Sequence, residues 1–317
     1  MKLGNLYNLA SFQKFLDSGG SLGFQDSVSG VVLARNLTAV DPKIFEKKYP
    51  ELTFLNSGIQ ADNTGGYARR IQSLRLVEQG SFADAGDQAA NKGKISLTAE
   101  DNFLKVFVKE AFSKWTDDEI QEAALQNINL PSQYMAAHNK IYNQLVDSIG
   151  FLGHNGQKGL LNSTFTSGAA TAAIAVATAQ QLYDDLAGLI TAQWNSVYNT
   201  PEYMANRVVM PTDVYNKIAA MMLNTANGSS TVLKALTDNF PGVAFTASPK
   251  ADNVDGGGSV TCAYSNNEDA MKMRIPIPLT IGEIVKVSSF DFQVDSKFRI
   301  AGLDILESTA GYYLTGL

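Results

Sequence analysis

Residues 58–98 constrain the fold most, because they alternate like paired strands yet their apolar side chains have no core partner within the segment. Ile95 and Leu97 alternate with polar residues, as in a half-buried strand. A tip rich in glycine, aspartate and asparagine lies between Gly80 and Gly93. We therefore predict a long two-stranded hairpin over residues 58–98. An isolated hairpin of this kind is only marginally stable in water, so we expect it to find a partner on another surface.

The segments after the hairpin predict a mixture of helices and strands. Residues 116–119 have the capping-box pattern, which predicts a helix that begins at Asp117. Pro131 suits the first turn of a second helix, which continues to about Ile149 without a helix breaker. Further patterns predict a helix over residues 172–198, a strand at 207–210, a helix over 213–223 and strands from Thr261 onwards. The chain of 317 residues is long enough to bury a core, and its fold class is predicted to be α+β.

The charge of the chain argues against nucleic-acid binding. Lys and Arg total 25, Asp and Glu total 31, and the formal net charge is −6 with no basic run. Sequence-independent binding to nucleic acid needs clustered cations that displace counterions. Charged residues make up only 18% of the chain, a composition that suits a protein in contact with copies of itself.

Targeting and redox signals also narrow the protein class. Cys262 is the single cysteine, so the chain cannot form an internal disulfide framework. The N-terminal sequence has no continuous apolar segment, which argues against an ordinary signal peptide. The longest weakly polar run, residues 168–179, is too short to span a bilayer. We expect a protein that is made in the cytoplasm and has no membrane partner.

Residues capable of catalysis or metal binding occur singly. The two histidines are His138, which we expect to pack within the second helix, and His154, which we expect in a turn. Cys262 is predicted to be a small buried hydrophobe. No cluster of His, Cys or carboxylate residues has the spacing of a zinc site. The sequence therefore predicts no catalytic residue, no cofactor and no metal.

Two short motifs have a functional alternative. Residues 19–23 match the nucleophile-elbow pattern G-x-S-x-G, which would make Ser21 the nucleophile of a serine hydrolase. That motif needs a preceding strand, whereas the preceding residues are helix-like, so we favour a linker. Residues 252–256 suggest calcium binding, but Ala251 and Cys262 occupy the first and last ligand positions. We favour an exposed turn there.

Several short strings resemble, in composition and in order, the major capsid proteins of tailed bacteriophages. They are the extended segment 52–98, WTDDEIQEAA at 115–124, INLP at 128–131, KGLLN at 158–162, the stretches 207–218 and 231–245, and the ending from FRIAG at 298–302 to AGYYLTG at 310–316. The resemblance covers nearly the whole chain. The fold of that family, named after phage Hong Kong ninety-seven, is shared with herpesvirus shells and encapsulin compartments.

The resemblance implies a division of the chain into five segments. They are an N-terminal arm in residues 1–50, an extended E-loop in 51–98, a P-domain with a long spine helix in 99–165, an A-domain in 166–262, and closing P-domain strands in 263–317, with a return to the A-domain left open.

The resemblance also implies a function and partners. The chain would self-assemble as pentamers and hexamers into an icosahedral shell that encloses the phage genome without sequence-specific DNA binding, and it would be found in the virion. Scaffolding, portal and decoration proteins are the implied partners. Two alternatives remain open: an encapsulin-type shell, which neighbouring genes would distinguish, and the serine hydrolase that uses Ser21.

The hairpin supplies the candidate contacts between subunits: Arg69, Arg70 and Arg75 lie among its apolar residues. Arginine is favoured at interfaces because its planar fork pairs with carboxylates and its stem packs on apolar surface. The founding family member also forms Lys–Asn crosslinks between subunits. Lys92 and Lys94 lie in the hairpin and residues 266–268 lie near the last strands, but nothing in the sequence fixes their geometry, so we predict no crosslink.

Overall fold

Sixteen strands and five α-helices occur in residues 52–82, 93–125, 128–225 and 228–317, which are the residues that the computed structural model describes. This mixture confirms the predicted α+β class. The predicted N-terminal arm and Ser21 lie outside the described residues, as does Lys92. Within the described ranges, every helix is too short or too polar to cross a membrane.

The strands and helices are labelled in chain order. The strands are β1 (Ala61–Asp62), β2 (Arg70–Gly80), β3 (Ile95–Lys105), β4 (Phe107–Thr116), β5 (Thr166–Ala169), β6 (Arg207–Met210), β7 (Met222–Thr225), β8 (Gly228–Thr231), β9 (Ala244–Ala247), β10 (Val260–Tyr264), β11 (Met271–Arg274), β12 (Ile277–Ile281), β13 (Val285–Lys286), β14 (Asp291–Ile300), β15 (Gly302–Ile305) and β16 (Gly311–Thr315). The helices are α1 (Asp117–Leu125), α2 (Leu130–Leu152), α3 (Ala179–Ser196), α4 (Thr212–Ala220) and α5 (Val232–Asn239).

A five-stranded mixed sheet has the order β5-β16-β10-β6-β9, with β5 parallel to β16 and β9 parallel to β6. Helices α3, α4 and α5 contribute to a buried cluster with this sheet. Leu182, Leu186 and Ile190 of α3 are fully buried there, as the helical spacing predicts. This region therefore covers its own apolar faces with elements of the same chain.

Two helices of this region are shorter than predicted. The helix expected over residues 172–198 begins only at Ala179, because Thr178 and Gln181 form a capping box that defines its first turn. The helix expected over 213–223 ends at Ala220, because Met222–Thr225 pairs with β8 in a short hairpin. The strand predicted at 207–210 is present as β6.

The helix predicted from Pro131 is present as α2 and is 23 residues long. The Asn129 side chain caps it by accepting a hydrogen bond from Ser132 N, and the proline lies in the first turn. One face of α2 packs on a second sheet, in which β14 pairs with β4 along all ten residues and β12 and β13 pair with β14 on the other side. The helix predicted at Asp117 is present as α1, and Thr116 and Glu119 form its capping box.

The predicted hairpin is present with later boundaries. Strand β2 pairs antiparallel with β3, from Arg70 opposite Lys105 to Gly80 opposite Ile95. The hairpin does not begin at residue 58, because β1 pairs instead in parallel with β11 of a three-stranded sheet, β1-β11-β15. Strand β3 runs past residue 98 to Lys105, and the N–H of the next residue, Val106, donates to the Arg69 carbonyl. The following residue begins β4, so the hairpin is continuous with the second sheet.

Candidate assembly surface

The two faces of the β2–β3 hairpin have different environments. Directly opposed residues of an antiparallel pair share a face, so the pair Ile71 and Leu104 marks the inner face. Both side chains are buried in a small cluster with Val106 and Ala301. The hairpin therefore packs on its own chain through its inner face, near the base.

A buried carboxylate anchors the inner face one step further along the hairpin. Asp304 of β15 is fully buried and accepts hydrogen bonds from Ser73 Oγ at 2.5 Å and from Asn102 Nδ2 at 2.9 Å. Arg274 Nε of β11 donates to the same carboxylate at 3.0 Å. A second arm of the Arg274 guanidinium forms an ion pair with Asp62 of β1. This network joins both hairpin strands to all three strands of the three-stranded sheet.

The next inner position is occupied by Arg75, one of the three predicted contact residues. Its Nη2 lies 2.5 Å from Glu307 Oε2, and the Glu307 side chain is largely buried. The described partner of Arg75 is thus within the same chain. Arg69 and Arg70 are both exposed, and the structure gives them no ion pair with a described residue. The structure therefore distinguishes Arg75, which forms an ion pair on the inner face, from Arg69 and Arg70, which lie at the hairpin base without an ion pair to a described residue.

The outer face of the hairpin is apolar and uncovered. We call it the outer strip and define it by five side chains that are each 56–65% exposed: Leu74, Leu76, Ile95, Leu97 and Phe103. The strand register places all five on the face opposite to Ile71 and Arg75. Contiguous apolar side chains on a surface mark an interaction site more often than isolated ones do. The outer strip is the largest such set on one described element pair.

Sequence reasoning identified the alternation of Ile95 and Leu97 but missed Phe103. The same alternation continues through residues 95–105 and would have placed Phe103 on the face of Leu97. No local sequence pattern predicts the anchor formed by Asp304 and Arg274. These two residues are 201 to 231 positions away in the chain from the hairpin residues Ser73 and Asn102 that they contact.

The second sheet also has one covered and one exposed face. On the α2 side, the His138 ring forms two hydrogen bonds, one between Nε2 and Ser113 Oγ at 2.8 Å and one between Nδ1 and Ser296 Oγ at 2.7 Å. Trp115 stacks on Tyr134 of α2 with ring centroids 5.1 Å apart. The opposite face carries charged residues and Phe112, which is 68% exposed. As predicted, His138 packs within its helix, where both ring nitrogens have hydroxyl partners.

The remaining candidates for chemistry have structural environments. Cys262 is fully buried, and burial raises the pKa of its thiol far above the usual range, which disfavours the reactive thiolate. His154 lies in a turn, and burial together with the Lys109 ammonium lowers its pKa; the two nitrogens are 2.6 Å apart. The carboxylates of Asp252 and Asp255 accept hydrogen bonds from Thr212 N and the Asn162 amide.

The described residues also offer no cluster of metal ligands. Across the described residues, no three His, Cys, Asp or Glu side chains come close enough to hold an ion. Cys262, His154, Asp252 and Asp255 each have a structural role, so the hairpin is the part of the described surface with the clearest features of a binding site.

Comparison with known proteins identifies the family. Residues 85–317 match the family model described as major capsid protein. The chain belongs to this family. The protein is thus a structural capsid protein of the tailed-phage type, located in the virion capsid, as predicted. The encapsulin alternative is not favoured.

Solved structures agree with this assignment. The capsid protein is similar to the chain in "The capsid of Myoviridae Phage XM1", with 43% identity, a TM-score of 0.82, and coverage of 91% of this chain and 100% of that one. The capsid of a native GTA particle has 15% identity, a TM-score of 0.65 and coverage of 93% and 99%. The Mycobacterium phage Ogopogo chain has 12% identity, a TM-score of 0.61 and coverage of 89% and 98%. The last two show the fold alone. No curated protein matches the chain.

Proposed function

We propose that this capsid protein assembles through its hairpin into a closed icosahedral shell of pentamers and hexamers. The observation that carries the proposal is the outer strip, five large apolar side chains left in water while the inner face is anchored to the same chain. Burying apolar surface gains roughly 25 cal/mol per Å². A hairpin that projects from one subunit onto the next makes a heterologous contact, and such contacts form rings when the rotation between neighbours closes.

The segments of the subunit have proposed roles that follow the family resemblance. The β2–β3 hairpin would be the E-loop, α2 the spine helix of the P-domain, and the five-stranded sheet with α3, α4 and α5 the A-domain. What supports this division is that the five-stranded region has its own buried cluster, separate from the cluster around α2.

The predicted contact residues have two proposed roles. Arg69 and Arg70, exposed at the hairpin base, would pair with carboxylates of a neighbouring subunit. Arg75 would mainly hold the hairpin in position through Glu307, and its guanidinium, whose side chain is 46% exposed, would reach a neighbour as well.

The protein is proposed to act only as a structural subunit, made in the host cytoplasm, that encloses DNA without reading its sequence. Its negative net charge supports this, since a DNA-binding protein needs clustered cations. Scaffolding, portal and decoration proteins are proposed partners. A hydrolase that uses Ser21 would be labelled by a fluorophosphonate probe, and we expect no labelling of Ser21.

We also propose that the shell is not crosslinked. Asn266 is engaged with Asn206, whose Nδ2 donates to Asn266 Oδ1 at 2.6 Å, and Lys94 is exposed rather than desolvated. Isopeptide formation needs a desolvated lysine beside a carboxylate. Mature particles boiled in detergent should run as one band near 34.1 kDa, whereas a ladder of multiples would contradict the proposal.

Electron microscopy of the purified full chain tests the proposed function. We expect hollow, roughly icosahedral particles, formed by the protein alone or after co-expression with its neighbouring genes. A chain that stays monomeric at high concentration under both conditions would contradict self-assembly.

A further inference from the structure

Helix α1 presents a second surface, because most of its side chains are left uncovered by its own chain. None of its nine residues is buried, and Leu125 at its end is 87% exposed. Short helices in proteins are stabilised mainly by packing of one face, and here the face of Asp117, Ile120 and Ala123 is only half-buried on the rest of the chain. A partner outside the chain would supply the missing contact.

The exposed face of α1 is acidic. Its residues include three carboxylates in the first turn and a fourth, Glu122, one turn later, with no cation in the last turn. Asp118 and Glu122 are four residues apart, so they lie on the same side of the helix, and both are exposed. The structure gives neither carboxylate an ion pair with a described residue, in contrast to Asp291, which pairs with Lys114.

A surface of opposite charge lies at the other end of the same strand. Arg69, Arg70 and Lys105 are exposed at the hairpin base, next to Tyr67, which is 78% exposed. The base adjoins the first residue of β4, while α1 follows the last. A ten-residue strand spans about 33 Å, so the two surfaces of one subunit cannot neutralise each other.

We infer that α1 of one subunit docks on the basic hairpin base of a second copy. This rests on the proposed function and specifies the partner surface for Arg69 and Arg70. Two complementary surfaces at opposite ends of a subunit require a head-to-tail contact, which is the arrangement that closes into rings. Each surface pairs charge with one large apolar residue, Leu125 on α1 and Tyr67 at the hairpin base.

Charge exchange tests the pairing in the full chain. The variants are Asp118→Lys with Glu122→Lys, Arg69→Glu with Arg70→Glu, and all four together. We expect each pair of changes alone to leave a folded subunit by circular dichroism but to raise the concentration needed for assembly by about tenfold or more in sedimentation. The combined variant should recover assembly, because the charges are opposite again.

A matched control and a milder variant keep the test decisive. Glu268→Lys with Asp269→Lys reverses another exposed acidic pair and should leave assembly unchanged. The variant Asp118→Lys with Glu122→Lys could unfold α1. In that case the single change Glu122→Lys should weaken assembly, and adding Arg70→Glu should restore it.

The outcomes separate this inference from the proposed function. Wild-type particles together with normal assembly of the α1 variant would overturn the docking but not the shell. A combined variant that fails to recover, or a control that blocks assembly as strongly, would also overturn it. Absence of wild-type particles, both for the chain alone and after co-expression with its neighbouring genes, would overturn the proposed function itself.

Discussion

The five-stranded region and the β2–β3 hairpin use similar apolar residues for different purposes. In the first, Leu182 and Leu186 are enclosed by helices and strands of the same chain. In the second, Leu74 and Leu76 are more than half exposed on a two-stranded element. The side chains themselves are alike, so the difference lies in whether the fold supplies a covering element. We conclude that the first set stabilises the subunit and that the second is available to a neighbour.

The strongest test of the comparison removes a buried leucine from the five-stranded region. Leu186→Ala should reduce the free energy of unfolding by about 2–5 kcal/mol, because it leaves a cavity in a fully buried position. Urea denaturation of the unassembled subunit measures it. A loss below about 1 kcal/mol would mean that the region tolerates the cavity and is not the rigid part of the subunit.

The buried Asp304 carboxylate, which anchors the inner face of the hairpin, should give the next largest effect. Asp304→Asn removes the charge that pairs with Arg274 in a buried site and should cost about 3 kcal/mol. It should also make β2 and β3 more sensitive to limited proteolysis. Asn102→Ala, which removes one hydrogen bond to the same carboxylate, should cost only about 1 kcal/mol. Equal effects of the two changes would mean that the charge is unimportant to the anchor.

The outer strip should affect assembly far more than stability. Leu74→Ser with Leu76→Ser should change the free energy of unfolding by no more than about 0.5 kcal/mol, since both side chains are already exposed. Sedimentation should nevertheless show loss of particles. Gln79→Ser, on the opposite face of the same strand, is the control and should assemble normally. Normal assembly of the double variant would remove the strip from the interface.

The smallest effect concerns pH. Because the folded state lowers the pKa of His154 below its usual 6.5, the unfolded state binds the proton more readily, and stability should fall as the pH decreases below about 6.5. His154→Gln cannot titrate. Its loss of stability between about pH 7.5 and pH 5.5 should be smaller than that of the wild type in chemical denaturation. An identical pH dependence would show that the folded state does not lower the pKa of His154.

Local signals in the sequence predicted local structure well. The capping box at Thr116 and Glu119 located the start of α1, and helical spacing identified Leu186 and Ile190 as core residues. The family resemblance predicted the function. These inferences succeed because capping and periodicity depend on residues within one or two turns.

The features that the sequence did not predict depend mostly on contacts between residues far apart in the chain. The start of the hairpin depends on β1, whose Ala61 pairs with Met273 more than two hundred residues later. The role of Arg75 depends on Glu307, and no local pattern links the two. The helix expected from residue 172 has suitable composition, yet the capping box at Thr178 starts it seven residues later.

Hydrogen–deuterium exchange of the unassembled subunit and of the assembled shell tests the central claim most directly. We predict that the half of the hairpin farthest from its base, residues 76–80 and 95–99, exchanges rapidly in the free subunit and becomes protected in the shell. The strands β6 and β10 of the five-stranded sheet should be protected equally in both states. Equal exchange of the hairpin in the two states, with intact particles, would contradict the claim that its outer face is covered by a neighbour.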